Sequence, residues 1–236
     1  MAHFTDSQSP YFIMDSAGYT ENNIQEWSGK IKQVSRPPAT IWEVQSLYQQ
    51  IEPEYMEPAS QPGYAYAEVG CIYGGINQRW LVIYSEKAYR REIKTLNRRI
   101  WKEREKALKN CRVFQNKEFD SESEARPALK KSQAEQHFHP VVVESVTTVC
   151  HYHGKGRPKA CQLPDRTAYR LNVKLIQDEV VIEAAQKTKG KFIVAANELD
   201  TESLSDEKLL EAYKDGCSFF YPKLKNFISN NIKILK

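Results

Sequence analysis

Long apolar runs are the first thing this sequence lacks. No stretch approaches the roughly 18 residues that a membrane-spanning helix needs, so no membrane association is expected. A basic region followed by an apolar one is missing from the start, so a secretory signal is not expected either. Cysteine is sparse: five residues, an odd number, with no C-x-x-C pair. That pattern argues for reduced thiols and against a disulfide frame. No internal repeat occurs. These absences predict a soluble, cytoplasmic protein. What remains is ordinary for a globular chain: 41% hydrophobic and 27% charged residues over 236 positions, enough for one large domain or two small ones.

Charge is present but unevenly placed. Residues 86–112 hold eleven Lys or Arg against four Glu, a net of +7 within a chain whose total is +4. The remainder is therefore slightly acidic. One segment with most of the positive charge is what a polyanion-binding face would show.

Periodicity predicts an α/β (α+β) chain. Tyr11–Met14 reads as a buried strand and Thr20 as the start of a helix. Ile31–Ser35 reads as a second strand, stopped by Arg36-Pro37-Pro38. Thr40 is expected to cap a helix running to about Gln50. After the Pro-rich stretch "EPEYMEPASQPG", Tyr64–Tyr73 and Arg79–Ser85 predict a hairpin joined by Gly74-Gly75-Ile76-Asn77. The basic segment then reads as a long helix with Tyr89, Ile93, Leu96, Ile100 and Leu108 on its apolar stripe. "SESEARPALKKSQAEQ" predicts a returning helix, 137–177 predicts strands, and "KFIVAANELD" a last strand. "SLSDEKLLEAYK" reads as a helix capped by Ser205.

Asp15 stands where an apolar strand ends, and two readings compete for it. It can be a turn residue, or a carboxylate held at a strand tip for a metal ion. Taken together, "YFIMDSAGYTENNIQ", "VSRPPATIWEVQ", "FIVAANELD" and "LSDEKLLEAYK" resemble bacterial insertion-sequence transposases of the DDE class. In that group an RNase-H-like catalytic core is interrupted by a large β-rich insertion domain. The resemblance runs from about Pro10 to Lys214. It implies that Asp15 is the second of three catalytic carboxylates. These would bind Mg²⁺ for in-line displacement at phosphorus, where two ions about 4 Å apart stabilise the attacking and leaving oxygens.

The sequence departs from the family at both ends. Only fourteen residues precede Asp15, and Asp6 lies in a polar, unpatterned start, so the first carboxylate is expected to be absent. The family signature Tyr-x2-Arg/Gln-x3-Glu-x6-Lys can begin at Tyr213. Positions 216, 220 and 227 are then Gly, Phe and Phe, and Pro222 would break the helix. A frameshift or insertion after Lys214 would produce such a change. The expectation is a truncated transposase, inactive by itself. It comprises a partial RNase-H-like core at 1–36, an insertion domain at 37–200, a returning core helix at 201–214 and an aberrant tail at 215–236. An open sheet edge would favour association with itself or with a full-length transposase.

Expected DNA contacts are Arg90, Arg91, Lys94, Arg98 and Arg99 on the basic helix. Arg36, beside Asp15, would meet a phosphate. "GKGRPK" at 154–159, with Lys155, Arg157 and Lys159, has the Gly-Arg-Pro core of minor-groove hooks. A solvated helix face and a simple turn are the plain alternatives for these cations. His137, His139, Cys150, His151, His153 and Cys161 match no standard zinc-finger spacing. The resemblance also implies an aromatic that grips a flipped base; Trp42, Trp80 and Trp101 are available.

Overall fold

Tyr11–Met14 forms strand β1. Thr20 accepts the amide of Asn23 and caps α1, Glu21–Trp27, which leads to β2, Lys32–Ser35. The two strands are parallel, with Met14 opposite Ser35. The computed structural model describes residues 11–214 except 135, 155, 160 and 161. The fold is mixed α/β, with strands of mixed orientation. Among the described residues no helix is long and apolar enough to cross a membrane.

Two compact units divide the described residues: 11–91 with 187–214, and 92–186. In the first, α2 (Trp42–Gln50) precedes β3 (Glu57–Pro58), β4 (Tyr64–Tyr73) and β5 (Ile76–Ser85). Helix α3, Glu86–Asn116, then leaves this unit. The chain returns through β8, Lys191–Ala196, and a helix over residues 206–214, here α6. The sheet order is β1-β2-β8-β5-β4-β3. Because side chains alternate along a strand, β8 and β5 feed both faces. Trp80, Val82, Ile193 and Ala195 pack with Ile24 of α1 and Val44 and Tyr48 of α2. Leu81, Ile83, Val194 and Ala196 pack with Leu209 and Leu210 of α6.

This sheet crosses the expected domain boundaries. An insertion spanning 37–200 would contain the strands at 64–85 and 191–196, yet β8 hydrogen-bonds both β2 and β5. The reason is that β8 is apolar on both faces and fits only the middle of a two-sided sheet. Two smaller expectations also change. Helix α2 starts after Ile41 with no side-chain cap, so Thr40 does not cap it. The β4–β5 turn is only Gly74-Gly75, with φ of 58° and 78°, the tight turn that suits strand twist and favours glycine at both positions. Among the described residues strand β1 lies at the sheet edge, and Phe12 is 54% exposed there.

The second unit holds most of α3, then α4 (Glu122–Ser132), β6 (Val141–His151), β7 (Arg166–Leu175) and α5 (Glu179–Lys187). Helix α5 is not legible in the strand-like reading of its neighbourhood. The long β6–β7 ribbon packs Val141, Leu171 and Val173 on Cys111 and Phe114 of α3 and Leu129 of α4. A second cluster joins Leu96, Phe138 and Ile182. Glu103 locks the entry to β6: one oxygen accepts the amides of His137, Phe138 and His139 at 3.0, 2.6 and 3.0 Å. Three amides on one carboxylate make it the anchor of that loop.

Glu103→Ala is predicted to destabilise the protein by about 2–4 kcal/mol, since charge-assisted bonds are lost and amides are left unpaired. Urea denaturation followed by circular dichroism measures this, and an unchanged midpoint would refute the anchor.

Candidate catalytic and nucleic-acid surfaces

Parallel register decides what stands beside Asp15. With Met14 opposite Ser35, the next residues, Asp15 and Arg36, leave neighbouring strands at the same end. Adjacent strands lie about 4.8 Å apart. Arg36 is exposed, and its guanidinium lies over the Phe192 ring at 5.3 Å. Phe192 in turn packs against Tyr213 of α6, with ring centroids 5.9 Å apart. The fold thus gathers Asp15, Arg36 and Tyr213, three residues far apart in sequence, at one end of the sheet.

Asp15 itself is a turn residue here. Its Oδ1 accepts the Ala17 amide at 3.0 Å, and its carbonyl accepts that of Gly18 at 3.2 Å. Such side-chain-to-backbone bonds are what Asp offers a turn. Among the described residues no group of three or more His, Cys, Asp or Glu could hold a metal ion. A lone carboxylate does not meet the ligand demand of two hard cations. The described donor set does not fit a two-metal centre. Asp6 and positions 216, 220, 222 and 227 lie outside the described residues.

The other motif residues serve the fold. Asn197 continues the β2–β8 pairing with its side chain, accepting the Gln33 amide at 2.8 Å and donating to the Ile31 carbonyl at 2.7 Å. Glu198 pairs with Lys32 at 2.7 Å, which holds its carboxyl below the usual range. Sequence reasoning missed a buried cation: Arg79 is 2% exposed, donates to the Leu204 carbonyl and lies 3.9 Å from Asp206. Burial, with Glu68 nearby, pushes the Asp206 carboxyl up. Glu207 accepts the Ser60 amide at 2.7 Å. These contacts fasten the start of α6 to the sheet. The missed signal was an arginine leading directly into the apolar run Trp80–Tyr84 of β5.

On α3, the expected DNA-contacting residues separate into two kinds, although Arg90, Arg91, Lys94, Arg98 and Arg99 are all exposed. Arg90 pairs with Glu86 at 2.5 Å, and Arg99 lies over Phe138 at 5.6 Å. Arg91 also interacts within the protein. Lys94 and Arg98 have no such partner among the described residues. At the ribbon tip Arg157 and Lys159 are exposed, while Lys155 lies outside the described residues. Next to this tip the two strands are tied by Asp165, whose amide donates to the His151 carbonyl and whose carboxylate accepts from the His153 amide.

The histidines and cysteines are dispersed. His139 is buried, and His151 bonds Glu118 at 2.8 Å. Cys71, Cys111 and Cys150 are free thiols; Cys161 lies outside the described residues. Of the tryptophans, Trp80 is in the core, bonded to Tyr19 and Gln78, and cannot reach a base. Trp42 and Trp101 are exposed. No protein-family model, curated protein or solved structure matches this chain.

Glu118 carries the ribbon's clearest pH dependence. Hydrogen bonds from Arg170 and His151 hold its carboxyl below the ordinary 4.5. A lowered folded-state value means a contribution present above 4.5 and lost as pH falls through the lowered value. Urea midpoints measured from pH 6 to about 3 should drop in the parent, and less steeply in Glu118→Gln. Equal slopes would exclude this pairing as a source of stability.

Proposed function

We propose that the chain is a fragment of a DDE-type transposase, with an incomplete RNase-H-like core, that binds DNA but does not cut it by itself. The observation that carries this reading is the register of β1 and β2. It sets Asp15 beside Arg36 at the carboxyl ends of two parallel strands, with Arg36 over Phe192 and Phe192 against Tyr213. Open α/β sheets present their ligand sites at such ends. Arg36 is then the phosphate contact, and Asp15 one member of a carboxylate set whose other members are not among the described residues. The RNase-H-like core takes in the whole mixed sheet, and the insertion narrows to about 92–186.

A second reading has its own support. The charge concentrated on α3, without a metal-holding group among the described residues, favours a non-catalytic DNA-binding or dimerising fragment. Such a fragment would modulate an intact transposase by occupying its DNA or its partner surface. Among the described residues β1 is an edge strand, and such an edge suits pairing with another copy or with that full-length relative.

A gel shift in EDTA is expected to show binding to duplex DNA that Arg36→Ala weakens roughly fivefold, the effect of losing about 1 kcal/mol. With Mg²⁺ and supercoiled plasmid, no nicking above background is expected. Metal-dependent nicking that Asp15→Ala abolishes would overturn the inactive assignment, and no DNA binding would overturn the first reading and reduce the second to dimerisation.

A further inference from the structure

We propose that the outer face of α3 tracks the phosphate backbone of duplex DNA through Lys94, Arg98, Lys102, Lys109 and Arg112. The identity of the polyanion rests on the DNA-handling reading above; the choice of surface rests on the helix itself. Together with Glu105 these positions are separated by steps of three or four residues. Steps of that size keep side chains on one line of a helix with 3.6 residues per turn. The line runs about 27 Å at 1.5 Å per residue. All five cations are exposed, and no ion pair holds them among the described residues.

The opposite side of the helix is apolar and committed. Leu96, Ala107, Cys111 and Phe114 are buried, each about half a turn from the cationic line. The helix therefore cannot rotate to hide its charge. Its acids do not neutralise the line either. Glu103 is occupied by the amides of 137–139, and Glu105 is the single acid on the line.

Like charges spaced three and four apart, as at Lys94, Arg98 and Lys102, destabilise a free helix. A bound phosphate row relieves that repulsion and releases condensed counterions. Base reading would need groups that discriminate edges, whereas lysine and arginine spaced along one line supply position without sequence. The contact is thus sequence-independent. It also differs from the plain reading of a basic stretch, because Arg90 and Arg99 are engaged within the protein and fall outside it.

The test is fluorescence anisotropy of a labelled duplex of arbitrary sequence with the full chain, across a salt series without divalent metal. The five phosphate contacts on α3 contribute about −4.5 to the slope of log Kobs against log salt. The triple variant Lys94→Gln, Arg98→Gln, Lys102→Gln should reduce that slope by about 2.7, and weaken binding at least tenfold on every duplex. Glu105→Gln should tighten binding, and Lys94→Arg with Lys102→Arg should preserve it, which separates lost contacts from lost folding.

Unchanged affinity and slope in the triple variant, with the parent still binding, would overturn this surface and leave the DNA-handling reading standing. Loss of binding only in Arg36→Ala would do the same. Failure of the parent to bind duplex DNA at low salt would overturn both. Tighter binding to single strands than to duplex would overturn the choice of partner.

Discussion

Strand β8 holds the first unit together. It arrives only after the chain has left through α3 and built the second unit, yet it sits in the middle of the six-stranded sheet, paired antiparallel with β2 on one side and β5 on the other. Without it the β1–β2 pair and the β3–β5 hairpin set would be two separate ribbons, each with an unpaired edge. Small ribbons of that kind are marginal in water. Closing the sheet orders a long intervening loop, but the entropy of closure grows only slowly with loop length. Fully buried apolar groups on both faces of β8, Ile193 and Ala195 on one and Val194 and Ala196 on the other, offset that cost.

The residues at the entrance to β8 show how tightly its position is specified. Gly190 has φ of 74°, and a Cβ there would fall 2.6 Å from the Cβ of Tyr89. Lys191 is buried, and its ammonium caps α2 by donating to the carbonyls of Tyr48 and Ile51 at 2.7 and 2.5 Å. A cation at a helix C-terminus is favourable, although burial lowers the Lys191 pKa. At the far end Asn197 and Glu198 extend the pairing to β2. The stretch "FIVAANELD" thus inserts the returning strand, which is a structural role. The same holds for Ser205, Asp206 and Glu207, which start and fasten α6. Once α6 is fastened, Tyr213 reaches Phe192, and Phe192 supports Arg36.

The second unit follows a different logic. Its long helix has one apolar side that must be buried and one cationic side that is exposed, so its orientation is settled by packing before any partner is considered. Glu103 then ties the chain entering β6 to this helix, and Glu118 and Asp165 hold the ribbon toward its loop end. Charge and packing here are separable, because the groups that stabilise the fold are mostly not those facing solvent on α3.

The sequence by itself determined the elements whose signal is local. Period-two apolar runs, the Thr20 and Ser205 caps and the 3.6-residue stripe of α3 all appear where their residues direct. Each depends on neighbours within a turn or two. Tertiary structure alone decided the pairing. That β8 belongs beside β2, that Arg79 is buried under α6, and that Arg90 and Arg99 are engaged while Lys94 and Arg98 are not all depend on contacts between residues distant in sequence. So does the convergence of Asp15, Arg36 and Tyr213, because strand register is set by which faces must be buried together. A linear pattern records which residues are apolar or charged, whereas the partner of each is chosen only when the sheet closes.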